Sequence, residues 1–521
     1  MSSATQVASL LEFVKELILH LAEESNFGYK GDLARCARVS ALFYDLAVKA
    51  LWEDLEDWKP LYYVLYRSYG KSRDHQPTVR APIDDQQWSR LEMYASHVKR
   101  VRDLQDGSTM GQRSAQLKSL RMLTDRARGR PIFPNLERVD TIHMDNRPAL
   151  EPFAFLPPTL RELSLTFPMN NPCGDGPEAD PAFEQMLRVL HSKAPALTSF
   201  SFSFGRENAP SVVKSQQLTP LRTFTSLQRL EVEISWMCYK GFLRAICAKL
   251  PQLTNLSVVL DTPMDGETPE PLEGVPCLGV STLDEFHMSG HPREIASALE
   301  IIAPSPLRAV DLRGPHDRAG WARSLKLLTT QFHSTLDRIS ISVVVDDELD
   351  DYTEPPQLSA FARPLYVLSR LQVFIFDAYT APRVNTSRLV VKLTDADIRG
   401  VANAWPNLRK LVILGKPGNR DGALTITPTC ISAFAAKCTQ LEALALPFPN
   451  ASDFSPDTPV TKVAPSVKRL AFAQDAMKSQ DARNMRARCT TYFMRILPSI
   501  RVFEILPVRA YGEKVAYWKD I

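Results

Sequence analysis

Apolar residues recur along most of the chain in a short phrase, Pro-x-Leu-x-x-Leu-x-Leu, whose last positions alternate between apolar and other residues. The clearest copies begin at Pro158, Pro251 and Pro406. This alternation predicts a short strand that carries its apolar side chains on one face. Thirteen copies, spaced by 24 to 37 residues, indicate a series of stacked repeats. The ten weaker copies begin at Leu136, Leu197, Leu227, Leu283, Leu307, Leu336, Leu371, Leu441, Val467 and Ile500.

Stretches with helical spacing lie between most of these copies. A helix brings residues three and four apart onto one face, and four stretches place apolar residues there. A unit of strand, turn and helix cannot bury its own apolar face, so neighbouring units are expected to stack around a shared core. The four predicted faces are Phe183, Met186, Leu187 and Leu190; Phe242, Ala245, Ile246 and, one turn on, Leu250; Ile295, Leu299 and Ile302; and Ile398, Val401 and Trp405.

The repeats resemble those of leucine-rich repeat proteins over roughly residues 132–510. The best-known repeat continues to a regular Asn after the strand, and this chain has no such column. Its long, irregular units are more similar to the ribonuclease-inhibitor-like and F-box-linked versions. The resemblance implies an α/β fold, an irregular horseshoe-shaped solenoid in which short parallel strands alternate with helices.

The first 66 residues lack the phrase and instead carry helical patterns that predict three short helices. One helical stripe runs over residues 33–52, with Asp32 as its N-cap. Helices this few and this short bury too little surface to be stable alone, so we expect them to dock on something. The preceding helical stripe consists of Leu10, Phe13, Val14, Leu17, Ile18 and Leu21.

This N-terminal segment resembles an F-box in the form common in fungal proteins. The matching residues, in order, are Asp32-Leu33, Cys36-Ala37, Val39, Ser40, Phe43 and Ala50-Leu51-Trp52. The resemblance implies docking on the Skp-family adaptor of a cullin–RING ubiquitin ligase. The residues expected to contact the adaptor are Leu17, Ile18, Leu33, Val39, Leu51 and Trp52. The alternative, in which the helices only cap the first repeat, stays open.

The patterns divide the chain into four predicted parts. These are an F-box-like helical module at residues 8–66, a linker and first capping coil at 67–131, the repeats at 132–510 and a tail at 511–521. Within the linker, a helix near residues 84–98 is expected to lead into an atypical first strand at 98–104.

Composition adds few constraints. The net charge of +3 on 521 residues provides no general attraction to nucleic acid or membrane. None of the eight cysteines forms a Cys-x-x-Cys pair, and no secretory or membrane-spanning segment is evident at the N-terminus. We therefore expect core thiols in a reducing compartment, the cytoplasm or the nucleus.

Motifs for catalysis are missing from the sequence. It has no dinucleotide-binding, phosphate-loop, nucleophile-elbow or zinc-protease motif. We therefore expect no catalytic residue, no cofactor and no metal. The leading hypothesis is a non-enzymatic substrate-recognition subunit of a ubiquitin ligase, with the repeats binding an unknown protein target. The alternative is a free-standing leucine-rich repeat scaffold with a helical cap.

The outward positions of each predicted strand form the expected target surface, because repeats present such rows for binding. The row is polar in its first half and turns apolar at Val412, Ala445 and Ala471. This predicts a target with a basic or hydroxyl-rich segment beside an apolar one. The expected substrate-binding residues are Glu162, Ser164, Ser201, Glu231, Glu233, Ser257, His287, Asp311 and Arg313.

Overall fold

A computed structural model describes most of the repeat strands and the helices between them. The described residues are 12–18, 20–21, 29–57, 59–65, 83–103, 122–144, 153, 155–167, 179–204, 215–234, 239–247, 249–260, 280–303, 305–345, 356–380, 391–414, 424–425, 434, 436–447, 467–474, 494 and 501–507.

Every one of the thirteen phrases forms a strand, and each strand begins two residues after the first leucine or equivalent residue of its phrase. Leu160, for example, is followed by a strand that starts at Glu162. The thirteen strands are β3 (Arg138–His143), β4 (Glu162–Phe167), β5 (Ser199–Phe204), β6 (Arg229–Ile234), β7 (Asn255–Leu260), β8 (Glu285–Ser289), β9 (Ala309–Pro315), β10 (Arg338–Val345), β11 (Val373–Thr380), β13 (Lys410–Leu414), β15 (Ala443–Pro447), β16 (Arg469–Gln474) and β17 (Val502–Pro507).

Among the residues that the structure describes, four further strands lie outside the phrases. β2 (Arg100–Asp103) is the atypical strand expected near residues 98–104. β1 (Asp54–Leu55) was not expected and lies within the N-terminal helical segment. β12 (Leu393–Thr394) and β14 (Leu424–Thr425) form a separate parallel pair.

The chain divides into two compact units, Met1–Glu233 and Ile234–Ile521. In the first unit, β1 to β6 pair in sequence order, and every pair is parallel. In the second, β7 to β11, β13 and β15 to β17 also pair in sequence order and in parallel. The predicted α/β fold of leucine-rich repeat type, with parallel strands and intervening helices, is confirmed.

Within each unit, backbone hydrogen bonds join neighbouring repeats at the residue before the strand. The Lys99 carbonyl accepts the backbone N–H groups of Glu137 and Arg138, at 2.8 and 3.0 Å. The Arg308 carbonyl accepts the next repeat's Asp337 and Arg338 in the same way, at 2.9 and 3.0 Å. The strand entrances are therefore fixed by pairing, since buried backbone groups need partners.

Side chains reinforce the same joint at the position before the first leucine of the phrase. The Thr282 hydroxyl donates to the carbonyls of Pro251 and Leu253, at 3.0 and 2.8 Å. This clamp ties one repeat to the preceding one without the Asn column of the best-known family pattern. Equivalent donors are Asn135, Thr159 and Asn407.

Helices occupy the segments between strands where apolar spacing predicted them. The predicted faces are buried for the most part, including Phe183, Leu187, Ile295 and Val401, whereas Leu250 lies beyond the end of its helix. The helices with established bounds are α1 (Tyr29–Cys36), α2 (Ala41–Glu53), α3 (Lys59–Leu65), α4 (Asp85–Ala95), α5 (Ala179–Lys193), α6 (Tyr239–Cys247), α7 (Pro292–Ile302), α8 (Arg318–Gln331), α9 (Leu358–Ala362) and α10 (Asp395–Ala404), with 3-10 segments at Ser215–Thr223 and Arg363–Val367. Residues 12–18 and 122–127 are helical as well.

The helical stripe over residues 33–52 forms two helices, α1 and α2, with a turn at residues 37–39, and the expected N-cap at Asp32 is wrong. Ser40 is the N-cap of α2, and its hydroxyl accepts the Phe43 N–H at 3.4 Å. Asp32 lies inside α1 and pairs with Arg35 at 2.6 Å rather than capping. A serine hydroxyl that competes for backbone N–H groups favours a helix start over a helix interior.

Alternation of burial follows the phrase in most strands. Inward positions of β4, β6 and β7 are buried, and outward positions are half-buried or exposed. β13 and β15 differ, since every residue of both strands is buried. Val412, Ala445 and Ala471 belong to a second apolar cluster on the outward face. The outward row of the second unit is therefore open at β7 to β9 and buried at β13 to β16.

Candidate protein-binding surfaces

The N-terminal helices have a small apolar core of their own. Val14, Ile18, Leu33 and Ala47 are buried together, and Leu51 packs against them. Two of the expected adaptor contacts, Ile18 and Leu33, therefore face inward. Leu33 is 0% exposed, so a partner does not reach it in this structure. Leu17 is half-buried within the helical residues 12–18.

Apolar side chains are also displayed on the outside of this helical module (residues 12–65). Val39, in the turn between α1 and α2, is 68% exposed. Phe13 and Tyr44 are exposed as well. Among the expected adaptor contacts, Val39 is therefore the one that is openly accessible to a partner. Tyr44 was not predicted from the sequence spacing.

Trp52 connects the helical module to the first coil. Its ring stacks on that of Tyr94 in α4, with centroids 4.6 Å apart and planes at 22°. The hydroxyls of Tyr44 and Tyr94 lie 3.3 Å apart. Trp52 therefore has an internal partner, and its stacking favours the cap alternative.

β1 carries the module into the sheet. It pairs with β2 through Asp54 opposite Arg100 and Leu55 opposite Val101. Arg102 donates to the Asp54 carboxylate at 2.8 Å, and the helical module is therefore continuous with the sheet.

A charge network crosses the outward face of the first unit. Arg100 and Arg138 both donate to the Asp140 carboxylate. Glu162 forms ion pairs with Arg138, at 2.9 Å, and with Arg229, at 3.6 Å. Burial alone would raise the pKa of Asp140, but the hydrogen bonds from Arg100 and Arg138 outweigh it and hold that pKa below its ordinary value. Glu162 is therefore committed to pairs within the sheet.

The remaining expected residues of the first unit are more open. Ser164, Ser201 and Glu231 lie side by side in the strand register. Both serines are half-buried, Glu231 is exposed and Glu233 is half-buried. The structure thus brings these residues into one row, as expected from the phrase.

A second row lies on the outward face of the second unit. Ser257, His287, Asp311 and Ser340 are aligned on β7 to β10, and we call them the polar row. His287 Nδ1 lies 3.4 Å from Asp311 Oδ2. The first three are half-buried and Ser340 is buried.

Larger side chains flank the polar row. Arg313 reaches across Ser342 to lie over the Tyr379 ring, 5.1 Å from its centroid. Glu285 accepts from Asn255 at 2.5 Å and lies 3.8 Å from Arg338. Sequence reasoning missed Tyr379, although the alternation of β11 continues beyond the phrase and would have placed it outward.

Serine, histidine and aspartate in one row invite comparison with a hydrolase triad. Ser340 lies beyond Asp311, two strands from His287, a separation of roughly 10 Å at the usual strand spacing. A base must come within about 3 Å of the nucleophile to accept its proton. His287 is therefore too far from Ser340 to act as its general base, and the three residues do not form a catalytic triad.

Within the described ranges, no group of three or more histidine, cysteine or carboxylate side chains could hold a metal ion. Among the helices that the structure describes, none has the length and apolar character needed to cross a bilayer. The cysteines of the described residues are free thiols, at positions 36, 247 and 438.

No family model matches the sequence, and no curated protein matches it. Among solved structures, the fold is similar to an internalin, InlF, from Listeria monocytogenes, with 11% identity and a TM-score of 0.30 over 83% of this chain and 91% of the internalin. It is also similar to a chain of the Rad7 and Elc1 complex from yeast, with 10% identity and a TM-score of 0.34 over 96% of this chain and 90% of that one. Neither similarity bears on function.

Proposed function

We propose that this chain is a non-enzymatic substrate-recognition subunit of a cullin–RING ubiquitin ligase. In this proposal the helical module docks on a Skp-family adaptor, and the outward faces of the strands bind a protein target. The chain would supply proximity and orientation, which can convert a bimolecular encounter into an effectively intramolecular one.

The observation that carries the proposal is the exposed apolar surface of the module at Val39, Phe13 and Tyr44. These side chains lie beside a core that is already formed, so their exposure is not needed for the module's own packing. Interface energy concentrates in a few apolar and aromatic anchors that become buried on binding.

Co-purification with the adaptor tests the proposal. Val39→Asp combined with Phe13→Asp should abolish co-purification while the far-ultraviolet circular dichroism and melting temperature stay unchanged. Val367→Asp is the matched control, since Val367 is 66% exposed but lies in a repeat. Leu33→Asp is unsuitable because a buried charge would unfold the module. Adaptor binding that survives the double change rules the proposal out.

A second candidate function is a leucine-rich repeat scaffold whose helices only cap the repeats. The observation that favours it is the junction of Trp52 with Tyr94 and of β1 with β2. Repeat proteins need such caps to cover their terminal units. This candidate predicts that the wild-type chain captures no adaptor.

A further inference from the structure

The helical side of the second unit carries exposed positive charges that have no acidic partner. Arg318 and Lys326 are exposed on α8, Arg363 on the following 3-10 segment and Arg399 on α10. Among the residues that the structure describes, no carboxylate lies within 4.0 Å of the charged nitrogens of these four. We call these four residues, together with the exposed Val367, the basic face.

Close packing of the helices brings these residues onto one surface. Trp321 of α8 contacts Phe361 of α9, with ring centroids 5.9 Å apart, and α9 continues directly into the 3-10 segment. On the other side, a Cβ atom placed on Gly400 of α10 would lie 2.5 Å from the Tyr366 hydroxyl, so α10 approaches the 3-10 segment closely. The 3-10 segment therefore lies between α8 and α10.

The carboxylates around α8 are engaged elsewhere. Glu300 pairs with Arg323 at 2.6 Å. Asp317 caps the start of α8 and lies 3.4 Å from Arg293. Arg370, just after the 3-10 segment, adds a further positive charge, and it donates to a backbone carbonyl rather than to a carboxylate. These pairs leave the charges of the basic face uncompensated.

The carboxylates of α10 lie at its first turn. Asp397 is buried and accepts hydrogen bonds from the backbone and hydroxyl of Thr394. Asp395 is half-buried, and its backbone carbonyl accepts a hydrogen bond from Arg399 at 3.1 Å. Both carboxylates face the positive end of the helix dipole, which they offset. Arg399 therefore keeps its charge exposed to solvent without an ion pair.

An apolar side chain is exposed within this charged surface. Val367 is 66% exposed and lies four residues after Arg363. Its neighbours Leu365 and Leu368 are buried and fill the core at this position, so the exposure of Val367 is not needed for packing. Interfaces combine such apolar contacts with complementary charges at their rim. The basic face thus fits a partner that carries an apolar residue between carboxylates.

Nucleic acid fits the basic face less well than protein does. Single strands bind by stacking their bases on accessible aromatic rings, and Tyr366, the aromatic residue beside Val367, is half-buried. Arg318 and Lys326 are eight residues apart on α8, about 12 Å along the helix. Phosphates follow one another much more closely, about 3.4 Å apart along the axis of a duplex strand.

We propose that the basic face docks an acidic segment of a partner protein, in which an apolar residue packs on Val367 and is flanked by Asp or Glu side chains. The residues of the basic face belong to neither the adaptor surface nor the outward row of the strands. The proposal therefore goes beyond the proposed function and does not depend on it.

Selection of random peptides displayed on phage against the full-length chain is the first test. Peptides with several Asp or Glu residues around an apolar one should be enriched. The affinity of the most enriched peptide, measured by fluorescence anisotropy, should fall as salt is added, because exposed charges are screened. Enrichment of basic or uncharged peptides alone, or no enrichment, overturns the proposal.

Charge reversal then tests whether the selected peptide binds the basic face. Lys326→Glu combined with Arg399→Glu should weaken binding by about tenfold or more, since two favourable contacts become repulsive. Lys193→Glu combined with Lys249→Glu is the matched control, because both lysines are exposed near the ends of other helices and the change in net charge is the same. Equal losses in the two double variants, or no loss in the first, overturn the proposal.

Milder variants keep the test decisive if charge reversal disturbs folding. Arg318→Gln combined with Arg363→Gln removes two charges and adds none, and it should weaken the peptide by roughly two- to tenfold at an unchanged melting temperature. Val367→Asp should also weaken the peptide while adaptor co-purification persists. A Val367→Asp chain that binds the peptide as tightly as wild type overturns the proposal, and the adaptor result stands separately.

Defined probes test the other classes of partner. An oligothymidine single strand and vesicles that contain phosphatidylserine should not bind the full-length chain through the basic face. If either probe binds and the Lys326→Glu, Arg399→Glu chain loses it, while no acidic peptide is enriched, the basic face recognises that class instead and the proposal is overturned.

Discussion

Leu256 and Ser257 are neighbours in β7 whose side chains lie on opposite faces of the sheet. Leu256 is buried and Ser257 half-buried. Leu256→Ala should lower the free energy of unfolding by roughly 2–5 kcal/mol, since it leaves a cavity in a packed core. Ser257→Ala should change it by about 0.5 kcal/mol or less. Chemical denaturation of both variants measures the difference, and equal losses would contradict the strand register.

The sequence predicted the side-chain orientation of single residues where that orientation depends only on burial in the core. The alternation around Leu256 placed its side chain inward, and the structure agrees. The same alternation placed Val412 outward but could not predict that the outward face there is buried. Ile18 and Leu33 show a similar limit, because an apolar stripe on a helix looks the same whether it packs within the module or against a partner.

At the scale of elements, the joint between repeats depends on a few polar side chains. Thr282→Val keeps the shape of the side chain but removes the hydroxyl that bonds Pro251 and Leu253. We expect the free energy of unfolding to fall by roughly 0.5–1.5 kcal/mol per hydrogen bond lost. Ser281→Ala, at the adjacent exposed residue, serves as the control. A Thr282→Val chain as stable as wild type would argue against the clamp.

The strands were predictable from sequence and the clamp was not, for a physical reason. The phrase repeats because each strand needs inward leucines, and this signal recurs thirteen times. The clamp alternates between threonine and asparagine, since either can donate to a backbone carbonyl. β1 carries only two residues and no phrase, so its pairing with β2 becomes evident only in three dimensions.

At the scale of the whole molecule, the arrangement of the first unit links the two proposed binding functions. The helical module bears the exposed Val39, and its helix α2 leads directly into β1. A partner bound at the module would therefore be held in a fixed relation to the strands of the first unit that carry Ser164 and Ser201. Such a connection suits a receptor that must present a target, and it suits a cap equally.

Deletion of residues 1–66 tests how far the module belongs to the repeat fold. The deletion removes Leu55, the strand partner of the buried Val101 in β2. It also removes Trp52, whose ring stacks on that of Tyr94. An uncovered edge strand and a lost cap destabilise a repeat array. We expect the 67–521 chain to melt at a lower temperature than the full chain and to aggregate more readily. Trp52→Ala in the full chain should lower the melting temperature less than the deletion does. Loss of the stacked ring pair should cost about 0.5–1.5 kcal/mol of stability, in addition to the loss from the apolar area that is no longer buried. If the 67–521 chain melts like the full-length protein, the module is an independent domain, and its contacts with β2 and Tyr94 contribute little to stability.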